Sequence, residues 1–232
     1  MLFSAILIAN TLYAQEDGML RHKAQLNANP GGTITEFRMP DPKTEGSVYL
    51  LEDWTLADVT LKNGLKLNSY FIRYDLQNHL VEIKADEKVK VIDESKVKVF
   101  KWLNGINAQR EEYLNGSSFR LDGGVLLGFF RVESQGKLRL LSYTNLKLKK
   151  SNYVPALNSG EKNNKLVKKT GLYIEKDKSL FKIPKSRKSF LELRVFEGKG
   201  NQVLKFMKMN KLSIKRKSDL IEVLKFSSEL EG

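Results

Sequence analysis

The chain has 232 residues, no cysteine and a formal net charge of +13, with 41% hydrophobic and 9% aromatic residues. That length and apolar content suffice for a buried core, and the lack of cysteine excludes disulfides, thiolate metal sites, cysteine nucleophiles and lipid attachment at an N-terminal cysteine. Met1–Leu146 holds 18 basic and 18 acidic residues while Lys147–Gly232 holds 22 and 9, so the whole imbalance lies in the last third, which points there to an anionic partner or a solvated lysine coat.

Leu2 to Tyr13 is an uncharged, apolar-biased run followed by Ala14-Gln15-Glu16. It is too short to span a bilayer as a helix and suits the hydrophobic region of a signal peptide cut after Ala14, so residues 1–14 read as an export signal and the protein as secreted or periplasmic. No Lys or Arg precedes the run, and the expectation for a signal peptide is therefore a true start further upstream. Residues 15–45 are polar and carry Pro30-Gly31-Gly32, Pro40 and Pro42, the composition of an extended leader.

Residues 46–150 alternate with period two between turn signals, which predicts an antiparallel β-meander closing as a barrel or a sandwich. Trp54–Leu61 and Leu65–Tyr74 flank Lys62-Asn63-Gly64, the strongest hairpin signal in the chain. The second of these strands puts Leu65, Leu67, Ser69 and Phe71 on one face and Lys66, Asn68, Tyr70 and Ile72 on the other. Leu80–Ala85, Lys88–Ile92 and Val97–Trp102 follow, then Val125–Glu133 and Lys137–Lys150 around Ser134-Gln135-Gly136.

Residues 151–185 read as a linker over Ser151–Lys169 and then a hairpin, Leu172–Glu175 with Leu180–Ile183. Residues 186–232 switch to helical spacing and form a basic helical tail, so the fold class is α+β. Ser189–Phe196 fits strand and helix periods alike and is assigned to helix. Gln202–Asn210 carries Asn210 as its C-terminal cap, and Ser218–Leu230 starts from Ser218 as N-cap with Asp219 in the first turn.

Six stretches are distinctive together: Gly46-Ser47-Val48-Tyr49-Leu50 with Trp54, Tyr74-Asp75-Leu76, Val91-Ile92-Asp93 with Val97–Phe100, Tyr153-Val154-Pro155-Ala156-Leu157, Lys185–Leu193, and Asn210-Lys211-Leu212 followed by Asp219-Leu220-Ile221. In their order they resemble a widespread group of exported Bacteroidota proteins with no assigned activity. The resemblance spans most of the chain after the signal. It implies export and a two-part architecture, and no chemistry.

Catalytic signatures are sparse. His22 and His79 are the only histidines, without metal-ligand or triad spacing, and His79 reads as a solvated turn residue. Glu52-Asp53, Asp93-Glu94 and Glu111-Glu112 are carboxylate neighbours in expected loops, the raw material of a glycosidase if two converge across a bond. Gly123-Gly124-Val125-Leu126-Leu127-Gly128 lacks the order of a phosphate loop and reads as a turn entering a strand.

The basic run carries the functional expectation. Its candidate anion-binding residues are Lys149, Lys150, Lys168, Lys169, Lys182, Lys185, Arg187, Lys188, Lys215, Arg216 and Lys217, within a segment of 19 lysines and 3 arginines. Lysine-dominated charge favours diffuse attraction over bidentate recognition. The reading is a non-enzymatic envelope protein without cofactor, whose tail docks on lipid headgroups, lipopolysaccharide, an acidic glycan or a protein partner. An envelope glycan hydrolase using loop carboxylates is the alternative. A nucleic-acid binder follows only if the N-terminus is not a signal.

Overall fold

The computed structural model describes residues 34–36, 44–103, 109–121, 124, 127–152, 157 and 159–230. The expected signal, His22 and most of the leader lie outside these residues.

Among the described residues twelve strands form one sheet: β1 Ile34–Glu36, β2 Thr55–Leu61, β3 Lys66–Asp75, β4 Leu80–Ala85, β5 Lys88–Asp93, β6 Val97–Leu103, β7 Arg110–Asn115, β8 Arg120–Leu121, β9 Phe129–Ser134, β10 Arg139–Lys149, β11 Lys165–Lys176 and β12 Ser179–Lys182. They lie in the order β1-β5-β4-β3-β2-β6-β7-β9-β10-β11-β12-β8. Every pairing is antiparallel except that of β12 with the two-residue β8. Three helices follow: α1 Arg187–Leu191, α2 Gly200–Met209 and α3 Lys217–Glu229.

The first half of the sheet rolls around an aromatic core. Four strand steps separate β3 from β9, about 19 Å in a flat sheet, yet the Tyr74 and Phe129 rings meet edge-on at 5.0 Å. Phe100 stacks on Tyr113 at 4.8 Å and tilts against Trp102 at 5.0 Å. Of the two closures expected from the sequence, the barrel-like one is closer, although the strand order stays open at β1 and β8.

The Asn63-Gly64 turn forms as expected, with Gly64 at φ +91 and the Asn63 side chain accepting the Leu65 amide. The face assignment in β3 does not hold throughout. A bulge opposite Ala57–Val59 puts Ser69 at φ +59, with its amide on Asp58 Oδ1 at 2.9 Å. One extra residue reverses the alternation, so Leu67 and Ile72 both enter the core and Phe71 is left 50% exposed.

The expected linker is shorter than residues 151–169. From Lys165 onward the chain is strand, and β11 pairs with β10 from Lys149↔Lys165 to Arg139↔Glu175 without a break. A boundary at 150 therefore cuts a hairpin whose strands continue the same sheet. The strand expected from Val125 begins at Phe129, behind Gly128 at φ +101; Val125 and Leu126 lie outside the described residues. Glu111-Glu112, expected in a loop, sits inside β7.

The helical segment is a packed layer rather than an appended tail. Phe190, Val203, Met207, Leu220, Val223 and Leu224 bury against Leu140 and Ile174 of the sheet and Leu138 just before β10. Register places Leu140 and Ile174 on the face that carries Leu146, and Leu146 packs on the aromatic core. Both cores thus share one face. The opposite face buries Phe130, Leu141, Tyr173 and Leu180. The ambiguous stretch from Ser189 divides into the end of α1 and a 3-10 turn at Arg194–Phe196. Asn210 caps α2 by donating to the Phe206 carbonyl at 3.0 Å. Ser218 is not the cap of α3, because the helix starts one residue earlier with Arg216 at the N-cap position. Asp219 instead accepts the Ser213 amide at 2.7 Å and Arg216 Nε at 2.8 Å.

Candidate functional site

Register decides which lysines share a surface. Residues directly opposite in an antiparallel pair project from the same face. Lys149 opposes Lys165, Lys147 opposes Val167, and Asn145 opposes Lys169, so these four lysines stand on one face of the β10–β11 ribbon. Two and four residues beyond Lys169 are Gly171 and Tyr173, and Tyr173 opposes Lys182 of β12, which adds Lys182 to the same face. Lys147, Lys149, Lys169 and Lys182 are exposed. Lys165 is half-buried and ion-paired with Glu161. That pairing holds the Glu161 carboxyl below and the Lys165 ammonium above their ordinary values.

The other candidates divide away from this stripe. Lys168 lies on the opposite face across from Leu146, its ammonium 3.5 Å from the Leu50 carbonyl. Lys150 follows the end of β10, and Lys185, Lys188 and Lys215 are exposed around the helical layer. Three basic residues of that layer are engaged within the fold. Arg187 donates to the Leu212 carbonyl at 3.5 Å. Arg216 pairs with Asp219 at 2.7 Å and reaches the Lys211 carbonyl at 3.2 Å. Lys217 joins α3 to the sheet through Glu133 at 2.8 Å. The expected single basic tail is therefore two groups on opposite faces of one sheet.

The carboxylate pairs also part company. Glu112 binds Lys101 at 2.9 Å, while its neighbour Glu111, on the core face, accepts Trp102 Nε1 and the Tyr113 hydroxyl at 3.3 Å and Arg131 Nη2 at 2.9 Å. Burial and the Glu111 charge push the Tyr113 phenol well above its ordinary value. Arg131 Nε lies 3.8 Å from Glu133, whose other oxygen takes Lys217. Despite its burial, Glu133 is held below the ordinary carboxyl range by Lys217, Ser142 and Arg131. Glu111 and the Glu52-Asp53 pair line one cleft of about 670 Å³, together with Trp54, Trp102 and Arg131.

Asp93-Glu94 separates too. Asp93 caps the 3-10 turn after β5 by accepting the Ser95 amide at 2.8 Å. Glu94 turns inward, where Oε1 takes the Gly128 amide at 2.8 Å and Oε2 takes the Tyr74 hydroxyl and His79 Nδ1, the latter at 2.9 Å. His79 is thus not merely a solvated turn residue. It sits in the turn at φ +57 with its ring tied to a buried acid, and the hydrogen bond to Glu94 raises its pKa above the ordinary 6.5. Burial and Glu94 drive the Tyr74 phenol far upward.

A second ionic cluster was missed from sequence. The Arg73 guanidinium lies 3.9 Å from the centroid of Tyr49 and 4.2 Å from that of Trp54, and it bonds the fully buried Glu82 at 2.7 Å. Alternation sets Glu82 with Leu80 and Lys84 against Val81, Ile83 and Ala85, and no local signal announces the segment from Tyr49 to Trp54 that covers it.

Among the described residues no group of three or more His, Asp or Glu is arranged to hold a metal ion, and no helix is long and apolar enough to cross a membrane. Comparison with known proteins finds no matching family model, no similar curated protein and no similar solved structure.

Proposed function

We propose that the protein is a non-enzymatic binding module of the cell envelope that docks on phosphate-bearing membrane surfaces through the lysine face of its β10–β11 ribbon. One observation carries the reading: unbroken register aligns Lys147, Lys149, Lys165 and Lys169, with Lys182 beside them, on a single face. Lys149 stands directly opposite Lys165, a like-charge placement that is unfavourable unless a counter-charge is near. Glu161 neutralises Lys165, which leaves Lys147, Lys149, Lys169 and Lys182 as the exposed charges of that face. Lysine ammonium groups are compact charges that suit diffuse attraction to phosphates. The non-catalytic half of the proposal draws on Glu111 and Glu94, whose carboxylate oxygens are already engaged by Trp102, Tyr113, Arg131, Tyr74, His79 and Gly128. Export rests on the run from Leu2 to Ala14.

Vesicle sedimentation tests the docking. Phosphatidylglycerol vesicles and lipopolysaccharide-bearing vesicles separate the two phosphate sources, with phosphatidylcholine as the neutral control. At about 1 kcal/mol per lysine near an anionic surface, replacing Lys147, Lys149, Lys169 and Lys182 by Gln should weaken binding about a thousand-fold. Replacing Lys185 and Lys215 instead should change it little. Salt-independent binding, or loss confined to the second variant, refutes the proposal. Mass spectrometry of the mature chain tests export, with Gln15 expected as first residue and an intact Met1 opposing it.

A further inference from the structure

The cleft between the turn before β2 and the ends of β6 and β7 has properties that the lysine face does not explain. Its volume, about 670 Å³, is that of a small-molecule site. Both tryptophans of the chain, Trp54 and Trp102, line it. Its charge runs against that of the molecule. Among the described residues that line it, Glu52, Asp53 and Glu111 stand with a single guanidinium, Arg131, and that guanidinium is held by Glu111 at 2.9 Å with Glu133 at 3.8 Å. In a chain of net charge +13 this is an acidic hollow. The ring of Trp54 already attracts one cation, the guanidinium of Arg73 at 4.2 Å.

We infer that this cleft binds a small organic ammonium ion, a protonated amine carried on an apolar body. The exposed carboxylates Glu52 and Asp53 receive the ammonium hydrogens, and the Trp54 side takes the apolar part. An anionic ligand would meet uncompensated carboxylates. A neutral sugar would gain nothing from the acid surplus.

Because both tryptophans line the cleft, intrinsic fluorescence of the intact protein reports occupancy directly. Phenethylammonium is the probe, with 2-phenylethanol as its neutral counterpart, 3-phenylpropionate as the anion and cellobiose as the neutral carbohydrate. The expected result is a saturable change with phenethylammonium that weakens with added salt, and binding of the other three at least about ten-fold weaker. Exposed ion pairs contribute at most about 1 kcal/mol each, so Glu52→Gln with Asp53→Asn should weaken the amine about five- to ten-fold. Both side chains are exposed, and an unchanged melting temperature separates lost binding from lost folding. Probe selectivity in the unsubstituted protein stands as an independent measurement. Equal or tighter binding of the alcohol, the anion or the sugar overturns the inference, as does the absence of any saturable change.

Discussion

Replacing Glu94 tests the account of the inner polar network most directly. Its side chain is 7% exposed and receives the Gly128 amide, the Tyr74 hydroxyl and His79 Nδ1. Hydrogen bonds to a charged group contribute roughly 1.5–3 kcal/mol each. In Glu94→Gln the carboxamide oxygen still accepts Gly128, and the NH2 group donates to the Tyr74 oxygen and to a neutral His79. Only the charge-assisted part is lost, about 1–2 kcal/mol. Glu94→Ala leaves an amide, a phenol and an imidazole without their acceptor and should cost about 3–5 kcal/mol. The pH dependence follows from the raised pKa of His79. Its protonated ring is favoured in the folded state, so that contribution is complete below the ordinary 6.5 and is lost as pH rises through the folded value. The stability gap between the unsubstituted protein and Glu94→Gln should therefore be widest at about pH 6 and narrow in alkali. Urea unfolding followed by tryptophan fluorescence gives both quantities, and an NMR titration of His79 should show its pKa falling in the variant. A gap independent of pH, or an alanine variant no worse than the glutamine one, would refute the reasoning.

The other expectations concern packing and backbone. Leu140→Ala removes a fully buried side chain from beneath the helices and should cost about 2–5 kcal/mol. Since both cores lie on one face of a continuous sheet, helical circular dichroism and tryptophan fluorescence should report the same unfolding transition; a separate early loss of helix would contradict the shared layer. Gly128→Ala puts a methyl 3.1 Å from the Tyr143 ring and 3.2 Å from the Tyr74 hydroxyl at φ +101, and should lower stability by about 2 kcal/mol or more in thermal melts. Arg73→Lys keeps the charge beside buried Glu82 but loses the planar stacking on Tyr49 and Trp54, so a loss of about 1–3 kcal/mol is expected by urea titration.

Local chemistry was legible where a residue acts on its own neighbours. Asn63-Gly64 and Asn210 each take the turn or cap that their side chains predict. Errors appear where one extra residue changes parity, as at Ser69, or where a polar-looking stretch gains a partner, as at Lys165. Ser218 failed as a cap because the helix already begins at Lys217, with Arg216 at the N-cap position. Glu94, expected in a loop, and Glu82, in the alternating run Leu80–Ala85, carry no sequence signal of burial. Their burial depends on Tyr49, Arg73, Tyr74 and Gly128, which come from other parts of the chain.

By itself the sequence determined the class of fold, an antiparallel sheet followed by helices, because alternation, turn residues and helical spacing act over a few residues at a time. It also determined that the positive charge is concentrated after Leu146. Only the tertiary structure decided which of those charges face the same way. Strand register sends Lys147, Lys149, Lys165 and Lys169 to one side and Lys168 to the other, while helix docking commits Arg187, Arg216 and Lys217 to internal bonds. The physical reason is that a surface patch is a property of neighbours in space, and those neighbours are chosen by long-range pairing and core packing.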